Sequence, residues 1–185
     1  SLVATGGPIL QAAGAGIDAG AGTVLIEGAG DVAPPAARSA AAGDALRLVA
    51  GGTLTGLGAG TQLRATHPDG KLTLDVGALA NSGPNGLGVA AARLEARVAT
   101  GNLQLALDGS VTVDRLAALE GGVIDLVAQG AITLAGPVTS GSATGARGAV
   151  LLTALGGDLQ GTFADLVADI AHLHAFAGAV GADAT

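Results

Sequence analysis

The sequence predicts an all-β fold built from stacked coils, a parallel β-solenoid of about 25 residues per coil. Three observations carry this. Of 185 residues, 42 are Ala and 33 Gly, with two Phe and no Trp, Tyr, Met or Cys, so the interior must be narrow and filled by Leu, Val, Ile and Ala. A pair of apolar residues flanking one outward residue recurs along the chain. Inside each copy the apolar period is two, as a half-buried strand requires.

The copies run Val24/Ile26, Leu46/Leu48, Leu72/Leu74, Leu103/Leu105, Ile124/Leu126 and Val150/Leu152, with a seventh starting at Leu173. Their first positions lie 22, 26, 31, 21, 26 and 23 residues apart, within the range of repeat architectures. In Gly101–Asp114, residues Leu103, Leu105 and Leu107 face one way and Asn102 and Gln104 the other. Asp108-Gly109 turns the chain, and Val111 and Val113 resume the inward set. The next unit repeats the design with Ile124, Leu126 and Ala128, a corner at Gln129-Gly130, then Ile132 and Leu134. Leu94–Val98 and Leu166–Ile170 read as copies of a third short strand.

A hairpin is the ordinary meaning of an Asp-Gly corner, but these strands carry two or three inward residues and no aromatic cross-strand pairs. Parallel stacking at about 4.8 Å per coil fits them better. Ala at 50, 96, 128, 154 and 168 is expected near corners, and Gly supplies positive φ there. Segment 36–50 contains Gly43 and follows Pro34-Pro35; it is read as a loop bulging from the coil. Segment 164–180 could form an amphipathic helix, but its likeness to 94–98 favours strand.

Function classes narrow quickly. Without cysteine there are no disulfides or thiolate nucleophiles. A net charge of −7 with eight Lys plus Arg argues against nucleic acid, which needs a basic surface. No run of 18 strongly apolar residues is present for membrane insertion. Ser1–Gly7 reads as a cut end, making the chain a single β-helix segment over 1–185, an interior fragment of something longer. His172 and His174 share a strand face with Asp169 nearby, a set too small for a metal site, and their role is left open. His67 precedes the turn Pro68-Asp69-Gly70. Asp108, Asp114, Glu120 and Asp125 could converge on one face as an acidic cleft, but there are no aromatics for sugar subsites and Arg115 stands nearly alone. No catalytic, cofactor-binding or metal residues are assigned, and no cofactor is expected.

The run Leu94–Leu103, together with Gly-x-apolar-x-Leu-x-Ala-x-Gly-x-apolar-Thr as in Gly122–Thr133, resembles the repeat region of filamentous haemagglutinin-like adhesins of two-partner secretion. The resemblance spans about residues 22–175. It implies a right-handed β-helix, export through an outer-membrane transporter, and a place on or outside the cell surface of a Gram-negative bacterium. Pro84-Asn85-Gly86-Leu87 is similar to a turn of that family's secretion domain but lacks its flanking strands. The leading expectation is a structural or adhesive stalk. The alternatives are a stacking subunit of an extracellular filament or surface layer, and a β-helical polysaccharide-processing enzyme. Expected partners are flanking coils, end-to-end copies, or a host or neighbouring-cell surface. The interaction loops are placed at Asn81, Ser82, Pro84 and Asn85, where coil spacing is longest, and at Ser140, Ser142 and Thr144, with a third excess over Pro34–Ala42.

Overall fold

A computed structural model of the chain describes residues 1–10, 16–34, 36–55, 61–80, 86–141, 145–161 and 165–181. It shows a β-solenoid of about seven turns, successive turns about 22 residues apart, with no α-helix among these residues. The first turns read β1 (Leu2–Ala4), β2 (Ile9–Leu10), β3 (Gly16–Asp18); β4 (Val24–Gly28), β5 (Val32–Ala33), β6 (Ala36–Ser39); β7 (Gly43–Thr55), β8 (Thr61–Ala65); β9 (Gly70–Ala80), β10 (Leu87–Ala90). The later turns are shorter in outline: β11 (Arg93–Val98), β12 (Leu103–Leu107); β13 (Val111–Ala118), β14 (Ile124–Ala128); β15 (Ile132–Leu134), β16 (Val138–Ser140), β17 (Ala149–Ala154); β18 (Leu159–Gly161), β19 (Leu166–Val167), β20 (Ile170–Ala175), β21 (Val180–Gly181).

These strands form two sheets. One has 13 strands along the path β1-β4-β7-β9-β11-β13-β15-β18-β21 with β2, β5, β16 and β19 as branches; the other has eight, in the order β20-β17-β14-β12-β10-β8-β6-β3. Each named strand pairs in parallel with its counterpart one turn away, so like residues stack on like. Val24, Leu46, Leu72, Leu94 and Val113 form one inward ladder of the larger sheet. Leu87, Leu105, Leu126, Leu152 and Leu173 form one of the smaller. The core is the space between, and Leu46, Leu72, Leu94 and Leu126 have no exposed surface. Burying a leucine fully is worth about 1.5–3 kcal/mol, and stacking obtains it without aromatic side chains.

The register differs from the one read from sequence. Leu72 and Leu74 stack on Leu94 and Ala96, so β11 is the next copy of the first ladder rather than a third strand. Leu103, Ile124 and Val150 lie in the smaller sheet, so the 31-residue interval joins two different sheets and is not one enlarged coil. True intervals range from 18 residues, Leu87 to Leu105, to 28, Val138 to Leu166. Segment 36–50 is also not a bulging loop. It holds β6, paired to β3 and β8, and from Gly43 the first part of β7, paired to β4 and β9. Alternation alone cannot distinguish the sheets, since both offer the same apolar face.

Corners are locked from coil to coil. The side-chain oxygens of Asp31, Asn102, Ser110 and Asp158 accept hydrogen bonds from the amides of Thr53, Val123, Ala131 and Ala179, at 2.7, 2.8, 3.0 and 2.8 Å. Each acceptor follows a Gly and precedes an apolar residue, and each receiving amide follows a Gly in the next turn. That second Gly is needed for room. A Cβ on Gly52, Gly130 or Gly178 would strike the Asp31, Ser110 or Asp158 side chain, although these glycines have ordinary φ. Positive φ is the reason at Gly101 and Gly109. Asn102→Ala is expected to cost about 1 kcal/mol, the usual net value of one hydrogen bond, measured by urea denaturation. Asn102→Asp should retain most of the stability, because it keeps an acceptor oxygen.

Candidate functional site

Outward positions of the larger sheet lie in rows, because parallel register repeats the same position in each turn. One row holds Asp44, Lys71 and Arg93; the next Leu25, Arg47, Thr73, Glu95 and Arg115; a third Glu27, Val49, Asp75 and Arg97. A register shift after Leu94 places Glu95 beside Arg115 and leaves Asp114 as the extra residue of a β-bulge. The bulge turns the Asp114 carboxylate toward the first row.

The result is a lattice of ion pairs across turns. Lys71 Nζ donates to Glu95 Oε2 at 2.7 Å and lies 3.9 Å from Asp114. Arg93 donates to Asp114 through Nε and Nη2, the latter at 2.7 Å. Arg97 Nη1 donates to Asp75 at 2.6 Å. The hydrogen bond to Glu95, aided by the charges of Glu95, Asp114 and Asp44, raises the Lys71 pKa above its ordinary value against a smaller opposing effect of burial. A raised lysine pKa contributes stability at all pH values below 10.5 and loses it as pH climbs through the folded-state value. Five of the eight basic residues, Arg47, Lys71, Arg93, Arg97 and Arg115, share this face. Among the described residues, Arg47 and Arg115 have no carboxylate partner within ion-pair distance. Between them lies a groove of about 490 Å³ whose charged lining is Asp44, Arg47, Lys71, Asp75, Glu95, Arg97 and Arg115, with Thr73 on its floor and Thr23, Val24 and Leu25 at one end.

This face was not singled out from sequence, yet a signal exists. Arg47, Lys71, Arg93 and Arg115 follow one another at 24, 22 and 22 residues, close to one turn each. Reading the apolar repeat alone passes over it.

The residues singled out from sequence are dispersed. Asp108 pairs with Arg64 at 3.1 Å at the rim of the smaller sheet, Asp114 belongs to the larger sheet, and Asp125 sits outward on β14 between Gln104 and Leu151. Asp108 and Asp125 thus share the smaller sheet, one at its rim and one in the Gln104 row, while Asp114 is on the larger sheet and Glu120 follows β13 in a turn; the four are not gathered at one place. His172 and His174 are exposed on β20, the terminal strand of the smaller sheet, and the His174 ring lies 5.1 Å from that of Phe176. Among the described residues no three metal-ligating side chains gather. His67 Nδ1 accepts from the Asp69 amide at 3.1 Å, closing its turn. Asn81, Ser82, Pro84, Asn85, Ser142 and Thr144 lie outside the described residues. Ser140 is not on an exposed loop. It is fully buried at the end of β16, donating to Gly122 O at 2.5 Å and accepting from the Gly148 amide at 3.1 Å. A hydroxyl can do both at once, and a buried one must.

Burial raises the Asp125 pKa. The folded state therefore holds this proton more tightly than the unfolded chain, so stability is greatest below the ordinary carboxylate pKa and falls as pH rises through the folded-state value. Asp125→Asn is expected to raise the melting temperature at pH 7 and leave it unchanged at pH 2.5. A lower melting temperature at neutral pH would show that the carboxylate contributes to the fold.

No family model, curated protein or solved structure matches the chain significantly.

Proposed function

We propose that the chain is a structural and adhesive stalk segment of a large secreted or cell-surface β-helical protein, without catalytic activity. The observation that carries this reading is the regular parallel stacking of the described turns, in which apolar side chains, corner acceptors and much of the charge are spent on the adjacent turn. Such a stack is a rod whose faces are its free surface, and each turn is stabilised chiefly by its neighbours. Among the described residues the exposed large apolar side chains are Leu2, Val3, Leu10, Ile170, Phe176 and Val180, and further coils of the same kind would cover them.

The likeness of Leu94–Leu103 and Gly122–Thr133 to filamentous haemagglutinin-like repeats supports export through an outer-membrane transporter and a Gram-negative cell surface. A stacking subunit of a filament or surface layer is the second reading, resting on the common direction of the described turns, whose ladders a further copy would continue. A polysaccharide-processing enzyme draws no support from carboxylates divided between the two sheets and a turn.

Electron microscopy of the parent polypeptide, with antibody labelling of intact cells, tests the proposal. Extended rods reached by antibody without lysis are expected. A compact particle, or labelling only after lysis, overturns it. Sedimentation velocity of the 185-residue chain adds an independent measure. Concentration-dependent linear association is expected of a stacking subunit, and a stable monomer at high concentration would remove that second reading.

A further inference from the structure

The groove between Arg47 and Arg115 has chemistry that coil stacking does not use. We infer that this face binds a linear polysaccharide bearing carboxylates, laid along the solenoid axis across four turns. The inference does not depend on the stalk reading.

Within the lattice, Glu95 and Asp114 serve Lys71 and Arg93, and Asp75 serves Arg97. Arg47 and Arg115 remain exposed, with no acid committed to them. They occupy one row, separated by Thr73 and Glu95, and so stand three turns, about 14 Å, apart. Guanidinium groups bind carboxylates through paired donors. A chain whose sugar rise is near the coil spacing would bring every third residue's carboxylate to an arginine. The floor between supplies what the intervening sugars require. Thr73 carries a hydroxyl, and Asp75 and Glu95 each accept a hydrogen bond from one cation while holding further lone pairs for sugar hydroxyls.

These acceptors decide the class of ligand. A polycarboxylate peptide has anionic groups but few hydroxyls to offer Asp75 and Glu95. Extended peptides usually bind sheets at an edge, and this groove lies on a sheet face. Single-stranded nucleic acid is disfavoured by the absence of aromatic stacking platforms from the lining of the groove.

The experiment is isothermal titration of the protein with an oligogalacturonate of at least four sugars, alongside a neutral dextran and poly-glutamate as probes. Uronate binding that weakens with added salt is expected, since exposed charges are screened. Arg47→Ala with Arg115→Ala should lower the association constant about tenfold or more. Arg38→Ala with Arg147→Ala, on other parts of the surface, should change it less than about twofold. Circular dichroism establishes that both double variants are folded. No uronate binding, equal binding by the two double variants, or dextran binding of equal strength would overturn the proposal. Poly-glutamate binding as tightly as uronate would replace the polysaccharide with an acidic peptide and overturn it as well.

Discussion

Gly122→Ala is expected to destabilise the solenoid by about 3 kcal/mol or more, because the added methyl must displace backbone. Gly122 has ordinary φ, so the penalty is one of space. A Cβ there would overlap the Gly101 carbonyl oxygen, with the carbonyl carbon 2.6 Å away and the Asn102 nitrogen at 3.3 Å. None of these atoms ends a flexible side chain. The Gly122 carbonyl also accepts from buried Ser140, and the adjacent Val123 amide is bonded to Asn102, so a displacement at this corner disturbs two further contacts. Gly6→Ala is the control, since its methyl would meet nothing within 4 Å. It should be neutral or slightly stabilising through the unfolded state. Chemical denaturation of both variants checks this, and equal midpoints would show that the coils are not held so closely at this corner.

Leu126→Ala should cost about 2–5 kcal/mol, the range for a large-to-small change in a packed core. Leu126 stands in the middle of its ladder with Leu105 on one side and Leu152 on the other, and it has no exposed surface. The same truncation at Leu173 should cost clearly less. Leu173 has Leu152 on one side only and is half-buried on the terminal strand. In a solenoid each turn gains stability chiefly from its nearest neighbours, so position along the ladder sets the cost as much as residue type. Calorimetry of the two variants measures the difference. If Leu173→Ala proved as damaging as Leu126→Ala, the last turn would have to be covered in solution.

The candidate site was legible in part. The one-turn spacing of Arg47, Lys71, Arg93 and Arg115 is present in the sequence, but their association needs the register. Only the bulge at Asp114 brings its carboxylate to both Lys71 and Arg93. Ser140 shows the converse. It follows Thr139 and precedes Gly141-Ser142, which makes it look like loop surface, while its hydroxyl is enclosed between two backbone groups.

The sequence by itself determined the class of fold. Period-two alternation is a property of single strands, and the lack of aromatics with plentiful Ala and Gly admits only a narrow interior, so stacked parallel coils follow from local patterns and volume. The tertiary structure alone decided which apolar pair stacks on which, and hence which charges meet. Leu72/Leu74 and Leu103/Leu105 carry the same alternation, and nothing within either segment says that one belongs to the larger sheet and the other to the smaller. That assignment depends on how each coil closes. Closure is set at the corners, where a side-chain oxygen in one turn finds a backbone amide in the next and the glycine before that amide leaves it room.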